Sequence, residues 1–161
     1  LQQSLNIPAI ILSEEIGRDI VRTVAEGFGI VSDLASGPAL ALGASESTLV
    51  EMTGAYAGIL NGGSAVKPYG LVELRLAGES EPLLTATGGI RERVIQESAA
   101  RQLTWMMYQV VEGGSGNRAA VEGWESLVKP APPKARAMRG SSASAVTTWR
   151  ASGWAMTTTR R

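Results

Sequence analysis

Thr48-Leu49-Val50-Glu51-Met52-Thr53-Gly54-Ala55-Tyr56-Ala57-Gly58-Ile59-Leu60-Asn61-Gly62-Gly63 carries the clearest boundary signals of this chain. Thr48 and Glu51 stand at capping-box spacing, where the N-cap hydroxyl serves the N3 amide and the N3 carboxylate serves the N-cap amide. Leu49, Met52, Tyr56, Ile59 and Leu60 then recur at helical spacing, and Asn61-Gly62-Gly63 stops the helix with residues that tolerate positive φ. Working upstream, residues 30–47 read as a loop-like connection rich in Gly, Ser and Ala. Two short helices precede it. The first covers residues 7–16, with Pro8 in its first turn, Ile7, Ile10 and Ile11 opposite Glu14 and Glu15, and Gly17 as its stop. The second is capped by Asp19, carries the stripe Ile20, Val21, Val24, Ala25 and Phe28, and ends at Gly27 and Gly29. Downstream, the period changes to two across residues 66–76. Val72, Leu74 and Leu76 alternate with Glu73 and Arg75, which predicts a half-buried strand. Residues 83–87 form its partner, joined through a turn at 78–82. A longer helix follows over 98–112, with Ala100, Leu103, Met107, Val110 and Val111 inward and Gly113-Gly114 at its C-terminus. Helices, a strand pair and another helix make an α+β order.

Composition sets the chemical limits. With 161 residues, 44% hydrophobic and 19% charged, the chain suits one globular domain with a modest core. Its 15 basic and 15 acidic residues cancel, which gives no electrostatic case for binding nucleic acid or an anionic membrane surface. No apolar run is long enough to span a bilayer, and no signal peptide is visible. Leu1 in place of Met leads us to expect a chain that begins inside a longer polypeptide. The absence of His and Cys removes Ser-His-Asp triads, Cys-His pairs and the usual zinc sites. Catalysis would rest on Ser, Lys, Thr, Tyr, Asn, Asp or Glu, and no cofactor or metal site is expected.

The strings Leu42-Gly43-Ala44-Ser45-Glu46-Ser47-Thr48-Leu49-Val50-Glu51-Met52-Thr53, Ala55-Tyr56-Ala57, Asn61-Gly62-Gly63 and Val66-Lys67-Pro68 closely resemble the transpeptidase domain of class A (bifunctional) penicillin-binding proteins. Ser4-Leu5-Asn6-Ile7-Pro8-Ala9 resembles that family's S-x-N motif and the helix after it. The segments Leu103-Thr104-Trp105-Met106-Met107 and Val110-Val111-Glu112-Gly113-Gly114-Ser115-Gly116 resemble the helix and glycine turn that lead to its third motif. The strings keep family order and spacing over residues 1–125. The resemblance implies a partial penicillin-binding/serine β-lactamase-like fold, with the helical part and an incomplete antiparallel sheet. It implies a peptidoglycan D,D-transpeptidase in which an S-x-x-K serine attacks the peptide and a lysine takes its proton. Ser4 would then serve as a proton conduit between lysines, and Asn6 would offer its amide to the peptide or β-lactam carbonyl. Stem peptides and β-lactams would be the partners of the parent protein. The parent would also carry a glycosyltransferase domain and an N-terminal inner-membrane anchor, with this domain facing the periplasm of a bacterial envelope. The source would be Gram-negative, with GC-rich DNA. Two departures stand out: only three residues precede Ser4, so S-x-x-K is missing, and Val128-Lys129-Pro130-Ala131 stands where K-T-G belongs. The chain is therefore expected to be inactive as it stands. A non-catalytic helical interaction module, or a piece of a related D,D-carboxypeptidase or β-lactamase, is the alternative.

Residues 126–161 lack any acidic residue, hold one Leu and no Ile or Phe, cluster Pro130, Pro132 and Pro133, and scatter Trp149 and Trp154. They show neither helical nor strand period and are expected to be disordered. Codons permitted for residues 127–134, CTG GTA AAA CCG GCA CCA CCC AAA, read one frame over as GGT AAA ACC GGC ACC ACC CAA. That spells G-K-T-G-T-T-Q. The expectation is a partial transpeptidase domain over 1–125, a single-base frameshift after about Glu125, and an out-of-frame tail over 126–161.

Simpler roles suit most other singled-out residues. Ser4-x-Asn6 taken alone is an ordinary helix N-cap pattern. Tyr56, Met52 and Met107 suit a core. Gly113-Gly114-Ser115-Gly116 suits a helix end and turn, since it lacks the Lys-Ser/Thr ending of a phosphate loop. Glu14, Glu15, Glu79, Glu81, Arg91, Glu92 and Arg93 suit a solvated surface. Without the K-T-G strand, the apolar faces of residues 66–76 and 103–111 would stay partly uncovered. Each Leu or Val so exposed forfeits about 1.5–3 kcal/mol, so marginal folding or aggregation is expected.

Overall fold

The computed structural model describes every residue except 87, 88, 121, 123, 124, 129–143, 151, 152, 160 and 161. Helix α1 (Asn6–Ile16) ends at Gly17, whose φ of 97° lies in the glycine-favoured region, and α2 (Arg18–Gly27) follows at once. Asp19 is not the cap of α2. Gly17 is, and Asp19 sits in the first turn, where its charge still opposes the helix dipole. The apolar side of α1 also differs from expectation. Ile7, Ile11, Leu12 and Ile16 are 72%, 52%, 57% and 46% exposed, and Ser13 is its buried residue. Apolar side chains occur all round this helix, and its packing neighbours are α2 and a 3-10 turn at Pro38–Leu42. Phe28, just past α2, is buried.

The connection from 30 to 47 is pinned along its length. Arg18 Nη1 donates to Ser36 O (3.1 Å), Arg22 donates to Leu34 O, and Ala35 N donates to Ser45 Oγ (2.8 Å). The capping box then forms as its spacing requires. Glu51 N donates to Thr48 Oγ1 (3.2 Å), and Thr48 N donates to Glu51 Oε2 (2.7 Å), starting α3 (Leu49–Leu60). Gly62 and Gly63, at φ 69° and 87°, end it. A Cβ at Gly63 would lie 2.5 Å from Ile95 O, and Gly63 O accepts from Val94 N (2.8 Å) and Ile95 N (3.2 Å). Glycine is required there on both counts, conformation and space.

Strand β1 (Ser64–Lys67) comes next. The expected long half-buried strand is replaced by β2 (Glu73–Leu74), a two-residue piece paired antiparallel with β3 (Leu84–Thr85). The partnership matches the reading, but Val72, Leu74 and Leu76 are 66%, 48% and 52% exposed, because no other described element packs as a second layer on this hairpin. Thr87 lies outside the described residues. Strand β4 (Gly89–Arg93) pairs antiparallel with β1 through Val66↔Ile90 and Lys67↔Gly89, with an irregularity between Ser64 and Val66. Arg91, Glu92 and Arg93 are exposed, as expected, but they belong to this strand.

Helix α4 (Glu97–Gly113) buries Ala100, Met107, Val110 and Val111, and β5 (Glu125–Val128) runs against it. Leu127 completes a core with Tyr56 and Met107, flanked by Met52, Leu60 and Leu103. The face of α4 is thus better covered than expected. Residues 144–150 form β6 (Ser144–Arg150) and 153–159 form β7 (Gly153–Thr159), and the sheet order is β5-β6-β7, antiparallel throughout. Val146, Thr147, Thr148 and Trp149, then Trp154 and Thr157-Thr158-Thr159, are β-branched or aromatic types that suit extended backbone despite lacking a two-residue hydrophobic period. The Pro-rich part of the tail, with Lys129, lies outside the described residues. Among the described residues no helix is long and apolar enough to cross a membrane. The whole is α+β, with four α-helices and small antiparallel sheets among the described residues.

Candidate functional site

The Ser4-Leu5-Asn6 segment lies between a tight turn and a helix. Ser4 N donates to Leu1 O (3.0 Å), which closes a turn with Gln2 and Gln3 at its centre. Ser4 follows with φ 53°, the sole positive φ of a non-glycine residue among the described residues. Such a conformation persists where surrounding structure fixes it. Leu5 occupies the N-cap of α1 and Asn6 its first position, with no side-chain capping bond. The ordinary N-cap explanation of Ser4-x-Asn6 is therefore not realised. Ser4 and Asn6 are both partly exposed.

The glycine turn at the end of α4 holds this segment from beneath. Ser115 N and Ser115 Oγ both donate to Gln2 O, at 3.1 and 3.2 Å. Gly114 is the C-cap of α4, and a Cβ placed on it would lie 2.5 Å from Gln2 O and 2.8 Å from Val110 O. Reading Gly113-Gly114-Ser115-Gly116 as a helix end and turn is correct, but the residues also carry this long-range contact. The signal available in the sequence was a second glycine, Gly114, directly after the Gly113 that ends α4.

A second polar centre lies on α3. The Glu51 carboxylate accepts from Ser32 Oγ (2.6 Å), Ser32 N and Val31 N (both 2.9 Å), and from the Thr48 amide and hydroxyl (2.7 and 2.9 Å). The Ser32 hydroxyl above all, then the amides, hold its pKa down at about 2. These bonds tie the 30–47 connection to α3 and make Glu51 an anchor. Tyr56, buried beside Met107, has its phenol pKa raised by desolvation, which suits core and not chemistry. An apolar cavity of about 450 Å³ lies among α2, α3 and α4, bounded by Leu1, Phe28, Met52, Tyr56, Leu103 and Met107. Its walls are almost entirely apolar. Among the described residues no group of His, Cys, Asp or Glu could hold a metal. Of the three lysines, Lys67 is exposed on β1, and Lys129 and Lys134 lie outside the described residues.

The family described as the penicillin binding protein transpeptidase domain matches residues 1–129. Penicillin-binding protein 1A of Streptococcus oralis is 30% identical over 126 residues, covering 74% of this chain and 19% of its own length. The Streptococcus pneumoniae protein of the same name is 29% identical over 126 residues, with 74% and 17% covered. This chain thus spans less than a fifth of those relatives. Among solved structures, penicillin-binding protein 1A from Haemophilus influenzae superposes at a TM-score of 0.71 with 21% identity, over 92% of this chain and 27% of that one. The D,D-transpeptidase domain of a peptidoglycan glycosyltransferase from Eggerthella lenta gives 0.68 with 19% identity, over 91% and 42%. Penicillin-binding protein A from M. tuberculosis, as an imipenem acyl-enzyme complex, gives 0.67 with 18% identity, over 91% and 37%.

Proposed function

The chain belongs to the penicillin-binding protein transpeptidase domain family, and from that membership we propose that it is part of a peptidoglycan D,D-transpeptidase. In this reading a serine of an upstream S-x-x-K segment attacks the donor peptide carbonyl. The serine oxygen forms an ester, the peptide C–N bond breaks, and the serine proton passes through lysine and Ser4 to the leaving amine. An incoming amine then attacks the ester carbonyl, the C–O bond to the serine breaks, and the amine's proton returns to the serine oxygen, which completes the cross-link. In a site without His, a lysine of lowered pKa is the available base. Asn6 donates its amide to the peptide carbonyl. A β-lactam takes the same path and stops at the ester, the species in which the M. tuberculosis relative was captured. The observation that carries this reading is the family match over residues 1–129, near whose start Ser4-Leu5-Asn6 opens α1 with Ser4 held at positive φ.

The parent polypeptide, by this proposal, adds a glycosyltransferase domain and a membrane anchor, and works in the bacterial cell envelope on stem peptides. We further propose a single-base frameshift after about Glu125. The family match ends at residue 129, where codons permitted for this chain, read one frame over, would spell K-T-G. The strands β6 and β7 do not oppose it, because Val, Thr and Trp favour extended backbone in whatever frame they arise. The 161-residue chain would then be catalytically silent.

Labelling with a fluorescent penicillin tests the reading. The frame-restored parent should acquire one covalent label at its S-x-x-K serine, and the 161-residue chain should acquire none. An unlabelled parent refutes the transpeptidase proposal. Sequencing the DNA across codons 120–130 tests the frame, and codons incompatible with the shifted reading refute it.

A further inference from the structure

We propose that Gly114 and Ser115 are positioning residues for the Ser4–Asn6 segment, an inference that rests on the transpeptidase reading. Gln2 O takes two hydrogen bonds from one residue, the Ser115 amide at 3.1 Å and the Ser115 hydroxyl at 3.2 Å. Gly114 lets the two backbones approach, since a Cβ there would stand 2.5 Å from Gln2 O. The position of Gln2 passes directly to Ser4, because the Ser4 N to Leu1 O bond closes the turn around it. Ser4 then continues in a positive-φ conformation that local sequence alone does not favour. The other end of this link is rigid. Gly116 N donates to Val110 O (3.0 Å), and Val110 is fully buried.

The arrangement also has a direction. Helix α4 carries the turn, and β5 packs along α4 immediately before the place of the third motif. Ser115 therefore ties the Ser4 segment to the element that delivers that motif. One carbonyl, Gln2 O, thus couples the Ser4 segment to the turn that follows α4. Misplacement by about 1 Å costs roughly a hundredfold in an oriented reaction, so the link should be felt in the acylation rate more than in binding.

The test uses the frame-restored parent, with penicillin binding and acylation resolved by stopped-flow kinetics. Ser115→Ala should lower the acylation rate about fivefold, the scale of one neutral hydrogen bond, with the penicillin Kd unchanged and the Tm within a few degrees of wild type. Ser115→Thr keeps the hydroxyl and should restore the rate. Gly114→Ala should lower it about tenfold to a hundredfold. Equal acylation rates for wild type, Ser115→Ala and Gly114→Ala would overturn the positioning role and leave the transpeptidase reading intact. Parallel loss of Kd, Tm and rate in Ser115→Ala without rescue by Ser115→Thr would also overturn it, as simple destabilisation. A wild-type parent that is not acylated refutes the transpeptidase reading, and the positioning role falls with it.

Discussion

Glu51 gathers hydrogen bonds from three residues of two separate segments, and its ionised form is what accepts them. Its folded pKa of about 2 lies below the ordinary 4.5. The carboxylate therefore contributes stability above the ordinary value and loses it as pH falls through the interval down to about 2. Thermal unfolding followed by circular dichroism should show wild type more stable than Glu51→Gln at neutral pH. The difference should shrink across that acid interval. A difference that stays constant with pH would show that the charge is not what matters. Gly63 is a second position where one residue decides. Its φ of 87° opposes a side chain, and so does the Ile95 carbonyl oxygen, 2.5 Å from where a Cβ would stand. Gly63→Ala should cost at least about 1–2 kcal/mol, read as a lower urea midpoint at unchanged slope.

At the scale of elements, α3 was readable in full because each of its signals is local: Thr48 with Glu51, a helical stripe, then Asn61-Gly62-Gly63. Thr48→Ala should lower stability by about 1 kcal/mol through the lost cap. Met107→Ala, on α4, should cost about 2–5 kcal/mol through the cavity it leaves beside Tyr56 and Leu127. Denaturant titration of the two variants should rank them in that order. Elements whose burial depends on distant partners were less legible. Val72, Leu74 and Leu76 alternate like a covered strand, yet all three stand open to solvent. Charge hid β4, where Arg91-Glu92-Arg93 follows a lone Ile90. In the candidate site, Ser4 and Asn6 could be named from family order, whereas the grip of Ser115 on Gln2 could not, since no local pattern links residues so far apart. Asp19 reads as a cap from its residue type, but Gly17, which lacks a capping side chain, holds that place.

The whole molecule exposes much of its apolar surface. Ile7, Val31, Val72 and Ile90 are each at least 66% exposed, and Trp105 is 62% exposed. The buried Ser126 hydroxyl on β5 has no hydrogen-bond partner among the described residues, a conflict worth roughly 1–3 kcal/mol against the fold. Apolar surface of this extent favours self-association. Purified chain should elute from size exclusion ahead of a 16.9 kDa monomer and bind a hydrophobic dye. A monomeric peak with a cooperative melting transition would refute that. The contact between Gln2 and Ser115 spans 113 residues. Closing so long a loop costs about 4 kcal/mol in chain entropy before the contact returns anything. At roughly 5–20 residues per second of synthesis, the Ser4 turn waits on the order of 10 seconds for its partner to leave the ribosome. The Ser4 turn thus depends on a partner made much later, and premature release of the chain before Ser115 leaves that turn without its clamp.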